Sequence, residues 1–159
     1  MPPKLLFDIS AIDLEQLQYT LDDIRELNLQ RFEFEQLSGV TALNSEEEFI
    51  VGVRHVAEDE FWVRGHIPGR PLFPGVLMLE AAAQLCSFYS RKVVGTDGFY
   101  GLAGIDEARF RGSVAPGDTL YILGKPQVLT KSRCVFLTQG LVNDRLVFEA
   151  KIFGMLLRG

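Results

Sequence analysis

Between residues 76 and 94 apolar side chains fall on every face of a helical projection. The run Val-Leu-Met-Leu-Glu-Ala-Ala-Ala-Gln-Leu-Cys-Ser-Phe-Tyr is built largely of strong helix formers, which predicts a helix buried at a domain centre. Gly95 stands ready to end it. Downstream the pattern becomes β-type. Residues 99–110, 119–128, 133–142 and 146–157 predict four strands, with Val114-Ala115-Pro116-Gly117-Asp118 and Asn143-Asp144 carrying the turn chemistry between them. Short connections favour antiparallel neighbours. Upstream, residues 49–56 and the short run Phe61-Trp62-Val63 read as two further strands, and Glu46-Glu47-Glu48 as a solvated turn. Residues 20–27 carry an N-cap candidate, Thr20, followed by acids in the first turn, the signature of a short helix. One long buried helix and an antiparallel sheet give an α+β fold in which a single sheet wraps the helix, preceded by an N-terminal helical extension over residues 1–23. The edges of such a sheet invite dimerisation.

Composition adds boundaries to this picture. The 159 residues form one domain, and 47% hydrophobic residues, 12 of them Phe, suffice to fill its core. Cys86 and Cys134 lack disulfide or metal-site spacing and read as small buried hydrophobes, which fits a reducing cytoplasm. No apolar stretch reaches membrane-spanning length, because the central helix carries Glu80, Gln84, Arg91 and Lys92. The net charge of −5 hides an asymmetry: residues 1–60 hold 14 acids and 4 bases, and residues 61–159 hold 7 acids and 12 bases. That balance speaks against nucleic acid as a partner. A basic patch of Arg91, Lys92, Arg109, Arg111 and Arg133 could meet an acidic protein, with scattered solvated charges as the alternative. No ligand cluster or phosphate loop calls for a metal, nucleotide or flavin.

The candidate chemistry lies where a Pro/Gly loop, Gly65-His66-Ile67-Pro68-Gly69-Arg70-Pro71-Leu72-Phe73-Pro74-Gly75, passes into the helix. Its prolines and glycines restrict the chain and allow close backbone approach, which suits holding a side chain still. His66 is a candidate general base; a hydrogen-bonded loop histidine is the other reading. Glu80 enters an apolar stretch that favours the protonated, proton-donating form, unless its turn of the helix faces solvent. Gly75 at the helix start offers backbone N–H groups and the positive dipole end to a developing oxyanion, or is a plain turn glycine. Gln84, one turn after Glu80, can hydrogen-bond it or a ligand. His55 reads as structural, and Ser87, Ser90 and Cys86 lack the setting of a nucleophile.

The string Gly65 to Gln84, Gly-His-Ile-Pro-Gly-Arg-Pro-Leu-Phe-Pro-Gly-Val-Leu-Met-Leu-Glu-Ala-Ala-Ala-Gln, resembles the signature of the FabZ-type 3-hydroxyacyl-acyl carrier protein dehydratases. The likeness continues through Tyr100-Gly101-Leu102-Ala103-Gly104-Ile105-Asp106-Glu107-Ala108-Arg109-Phe110-Arg111 and Val114-Ala115-Pro116-Gly117-Asp118, and weakly at Gln30-Arg31-Phe32. It implies the hot-dog fold, in agreement with the pattern above. It also implies loss of water from (3R)-3-hydroxyacyl thioesters on acyl carrier protein, giving trans-2-enoyl thioesters in fatty acid biosynthesis, without a cofactor. By the same resemblance His66 is the base and Glu80 the carboxylate, joined across a homodimer. Gly75 N–H then binds the thioester carbonyl, Gln84 supports Glu80, and Tyr100 falls near a tunnel-gating position or is a core tyrosine. Hexamers made of three dimers are common in the family, and the dimer would enclose an acyl tunnel lined by Phe73, Leu77 and Ile105, which also read as core. The chain departs from the family pattern at Leu29-Gln30-Arg31-Phe32-Glu33-Phe34, which replaces Pro-His-Arg-Tyr-Pro-Phe, at Ile67 and Arg64, and in residues 1–23, which precede the usual start. A hot-dog thioesterase and a non-catalytic acyl-binding protein are the rival readings.

Overall fold

Helix α2, Gly75–Val94, begins after Pro74 and closes on Gly95, whose left-handed φ of 72° and N–H bond to Arg91 O end the helix. In this computed structural model, which describes residues 4–158, Ala81, Ala82, Leu85, Cys86, Phe88 and Tyr89 are buried. The apolar residues all round the helix are explained by the sheet that curls about it. Its strands are β1 (Gly39–Asn44), β2 (Phe49–His55), β3 (Phe99–Phe110), β4 (Thr119–Leu129), β5 (Arg133–Val142) and β6 (Arg145–Leu157). They form one antiparallel sheet in the order β1-β2-β4-β5-β6-β3. The four downstream strands and the turn at Glu46-Glu47-Glu48 agree with the hydrophobic pattern.

Three expectations change. β1 carries no alternation strong enough to be foreseen and exists because it pairs with β2. Phe61-Trp62-Val63 is a turn, not a strand: Trp62 is drawn inward, its Nε1 donates to Glu60 at 3.0 Å, and its carbonyl accepts from the N–H groups of Gly65 and His66. Among its described residues the N-terminal extension is helical only at α1, Leu21–Arg25, where Thr20 and Asp23 form a capping box.

Residues 4–14 act as an irregular strap over the outer face of the sheet. Leu5, Leu6, Phe7, Ile9, Ile12 and Leu14 pack on Val51, Leu123 and Leu141, which point away from α2. The Gln139 amide serves the strap as a strand backbone would, accepting from Leu6 N and donating to Lys4 O, both at 2.9 Å. This covering explains why β5 is apolar on both faces. The edge of β1 is also closed, because Gln18 N and Tyr19 N both donate to Val40 O. The outer edge of β3 has no strand partner among the described residues.

Candidate active site

The His66 loop is fixed by its own backbone bonds. His66 N donates to Trp62 O at 2.8 Å, Leu72 N to His66 O at 2.8 Å, and Ile67 and Arg70 exchange a reciprocal pair. Phe73 N donates to Val114 O at 2.7 Å, tying the loop to the turn before β4. The His66 ring meets Leu72 O through Nδ1 at 2.7 Å. A carbonyl only accepts, so Nδ1 carries the proton of the neutral ring and Nε2 keeps the lone pair. The ring is exposed, in position to work as a base at its outer nitrogen.

At the helix start the first backbone bonds run from Leu77 N and Met78 N to Pro74 O. The N–H groups of Gly75 and Val76 precede the helical ladder and remain open to an external acceptor. Glycine allows close approach here, since a Cβ on Gly75 would lie 2.8 Å from Cε1 of the exposed Phe110 ring and push it aside. Glu80, half-buried one turn further on, accepts at Oε1 from Gln84 Nε2 at 2.9 Å, leaving Oε2 for a proton. Gln84 is itself held on three sides: Nε2 also donates to Phe34 O at 2.7 Å, and Oε1 accepts from Gln36 N at 2.9 Å. Both of its donors are engaged, so within this chain Gln84 holds Glu80 and has no hydrogen left for a ligand.

His66 and Glu80 do not bond to each other within one chain; no hydrogen bond or ion pair joins them among the described residues. Tyr100 lies at the opposite end of β3 from Phe110, buried, with its hydroxyl donating to Thr130 O at 2.8 Å and its ionisation pushed up by burial. His55 hydrogen-bonds Ser38 and Thr119, a structural role. Phe73 belongs to the core, whereas Ile105 lines an open cavity of about 550 Å³ with Cys134 and Phe153; neither His66, Gly75 nor Glu80 reaches it. Both cysteines are free and buried, and burial pushes their thiols up, which makes them poor nucleophiles. Within the expected basic patch, Arg91 donates to Leu27 O at 3.0 Å, Arg109 to Ala108 O at 3.1 Å, Arg111 pairs with Glu149 at 2.7 Å and Lys92 lies 5.0 Å from the centre of the Tyr19 ring, so four of its five members have internal partners.

Sequence reasoning missed one cluster, Arg54 with Glu60 and Gln36. Arg54 is 6% exposed, yet it lies in the apolar run of β2, and a charge inside such a run was the available signal. Its guanidinium forks onto the Glu60 carboxylate and also donates to Gln36 Oε1 at 2.8 Å.

A sheet wrapped round one central helix, with a fixed histidine loop opening onto the start of that helix, defines a hot-dog protein with a candidate acid–base site. A sequence model of the FabA-like domain matches residues 28–151. The chain belongs to this family, as one of its FabZ-like 3-hydroxyacyl-acyl carrier protein dehydratases. It is 38% identical over 134 residues to the 3-hydroxyacyl-[acyl-carrier-protein] dehydratase FabZ of Escherichia coli O9:H4, an alignment covering 82% of this chain and 87% of that one. Among solved structures, the dehydratase heterocomplex ApeI:P from Xenorhabdus doucetiae superposes with a TM-score of 0.73 at 14% identity, over 85% of this chain and 91% of its own. Cj0977, a sigma28-regulated virulence protein from Campylobacter jejuni, does so at 0.65 and 12% identity, over 94% and 96%. These two likenesses are of fold.

Proposed function

We propose that the protein eliminates water from (3R)-3-hydroxyacyl thioesters carried on acyl carrier protein, releasing trans-2-enoyl thioesters in the cytoplasm. The observation that carries this reading is the bond from His66 Nδ1 to Leu72 O, because it fixes the loop histidine with Nε2 outward as the nitrogen free to accept a proton. The reaction must remove a weakly acidic C2 proton and expel hydroxide, so both ends need help. His66 Nε2 takes the C2 proton, and the open N–H of Gly75 stabilises the enolate-like thioester oxygen at the positive end of α2. Glu80 delivers a proton from Oε2 to the departing C3 hydroxyl, while Gln84 fixes Oε1. Tyr100, buried in the core with its hydroxyl on Thr130 O, takes no part in the proton transfers.

The active unit is a homodimer in which His66 works with Glu80 of the partner subunit. Two features support it: the lack of any hydrogen bond or ion pair between the two side chains of one chain among the described residues, and the unpaired twelve-residue edge of β3. Phe32, Ile67, Val76, Leu102 and Phe110 are exposed apolar side chains that a second subunit would cover. Sedimentation distinguishes a dimer from a trimer of dimers. The exposed Arg109 and Arg133 suit an acidic carrier.

The test is incubation with 3-hydroxybutyryl-acyl carrier protein, following the loss of water by mass spectrometry beside His66→Ala. Conversion by the wild type that falls by at least about 100-fold in the variant is expected. Release of free thiol would instead identify a thioesterase, and binding without any mass change a non-catalytic acyl-binding protein.

A further inference from the structure

Glu80 and the His66 loop are held from behind by the same buried groups. From the acid, the bonds run Gln84 Oε1 to Gln36 N at 2.9 Å, then Gln36 Oε1 to Arg54 Nη2 at 2.8 Å, while Gln36 Nε2 donates to Glu33 O. From the base, the His66 backbone N–H donates to Trp62 O and the Trp62 indole donates to Glu60 Oε1 at 3.0 Å. Glu60 also accepts from Ala57 N at 2.7 Å and meets the Arg54 fork, with Nη1 at 2.9 Å from Oε2. The guanidinium lies 4.8 Å from the centre of the Phe73 ring, which packs against Trp62 just ahead of the helix start.

We propose that Arg54 and Glu60 are a positioning pair: one planar, bidentate ion pair that sets the His66 loop on one side and, through Gln36 and Gln84, the rotamer of Glu80 on the other. This rests on the dehydratase reading. Neither residue touches substrate. A guanidinium is required because its fork meets Glu60 while a further N–H still reaches Gln36; an ammonium is a point charge and cannot keep both directions at once. The donors run in one sense from Arg54 through Gln36 to Gln84 and Glu80, so a shift at the ion pair propagates along the chain of bonds. In a dimer that pairs His66 with the partner subunit's Glu80, each such network also spans the two active sites.

Two variants test it. Arg54→Lys keeps the charge and removes the fork, and Gln36→Met leaves the ion pair and the backbone bond from Gln36 N to Gln84 intact but cuts the side-chain bonds that anchor this segment to Arg54 and to Glu33 O. Each should lower kcat by about 10- to 100-fold with KM within about twofold, the signature of displaced catalytic groups. Hydrogen exchange of the Gln84 side-chain amide, read by NMR without substrate, should be slow in the wild type and at least about tenfold faster in both variants. If Arg54→Lys does not fold, Gln36→Met decides alone. An unchanged kcat, or a loss carried by KM, overturns the proposal whatever the exchange shows. Should the wild type itself fail to turn over, the dehydratase reading falls, and the exchange rates still judge the network: unchanged rates overturn it and faster rates support it.

Discussion

His66 was legible because its loop motif is continuous in sequence, and its tautomer was not, because the Leu72 carbonyl that fixes it is set by the fold. The same contrast holds at Gln84. Its spacing from Glu80 is written in one helix turn, but its bonds to Phe34 O and Gln36 N cross about fifty positions. Gly75→Ala should push the half-exposed Phe110 ring aside and disturb the helix start; we expect kcat to fall by about tenfold or more while stability changes by no more than about 1 kcal/mol, checked by kinetics beside urea unfolding. Ion pairing also sets the acid limb of stability. Burial alone would raise the Glu60 carboxyl, but its bonds to Arg54, Ala57 N and Trp62 outweigh burial and hold it below the usual range; Glu35, bonded to Arg25, is lowered too. A carboxyl lowered in the folded state adds stability in full above its unfolded value and loses it as pH falls through the folded value. Tm should therefore be level near neutral pH and drop below the ordinary glutamate range. Glu60→Gln should melt lower at pH 7 with a shallower acid decline, as calorimetry from pH 7 to 3 would reveal.

At the scale of elements, α2 and β3 to β6 follow from periodicity and turn chemistry, since long runs with explicit stops leave little choice. The failures were short segments whose structure depends on partners. Three apolar residues at 61–63 have no period to measure, and the bonds of Trp62 to Glu60 and to the loop decide their path. Central strands also tolerate less than their sequence suggests. A Cβ on Gly140 in β5 would run into the Phe148 ring on β6, so Gly140→Ala should cost about 1–3 kcal/mol, seen as a lower denaturant midpoint with no change in m.

For the whole molecule, composition and charge indicated one domain but not the role of the N-terminal extension. The apolar residues between Leu5 and Leu14 have neither helical nor strand spacing, and their reason appears only with the outward-facing Val51, Leu123 and Leu141 beneath them. Removing residues 1–14 should uncover that patch. We expect a lower Tm and self-association beyond the wild-type state, measured by sedimentation across a concentration series.

The lack of a bond between His66 and Glu80 in a single chain also has a genetic meaning. If each reaction centre is assembled from two copies, a His66→Ala allele and a Glu80→Ala allele, each inactive alone, complement one another when expressed in the same cell. Random pairing makes half of the dimers mixed, each mixed dimer regains one of its two centres, and activity returns to about a quarter of wild type.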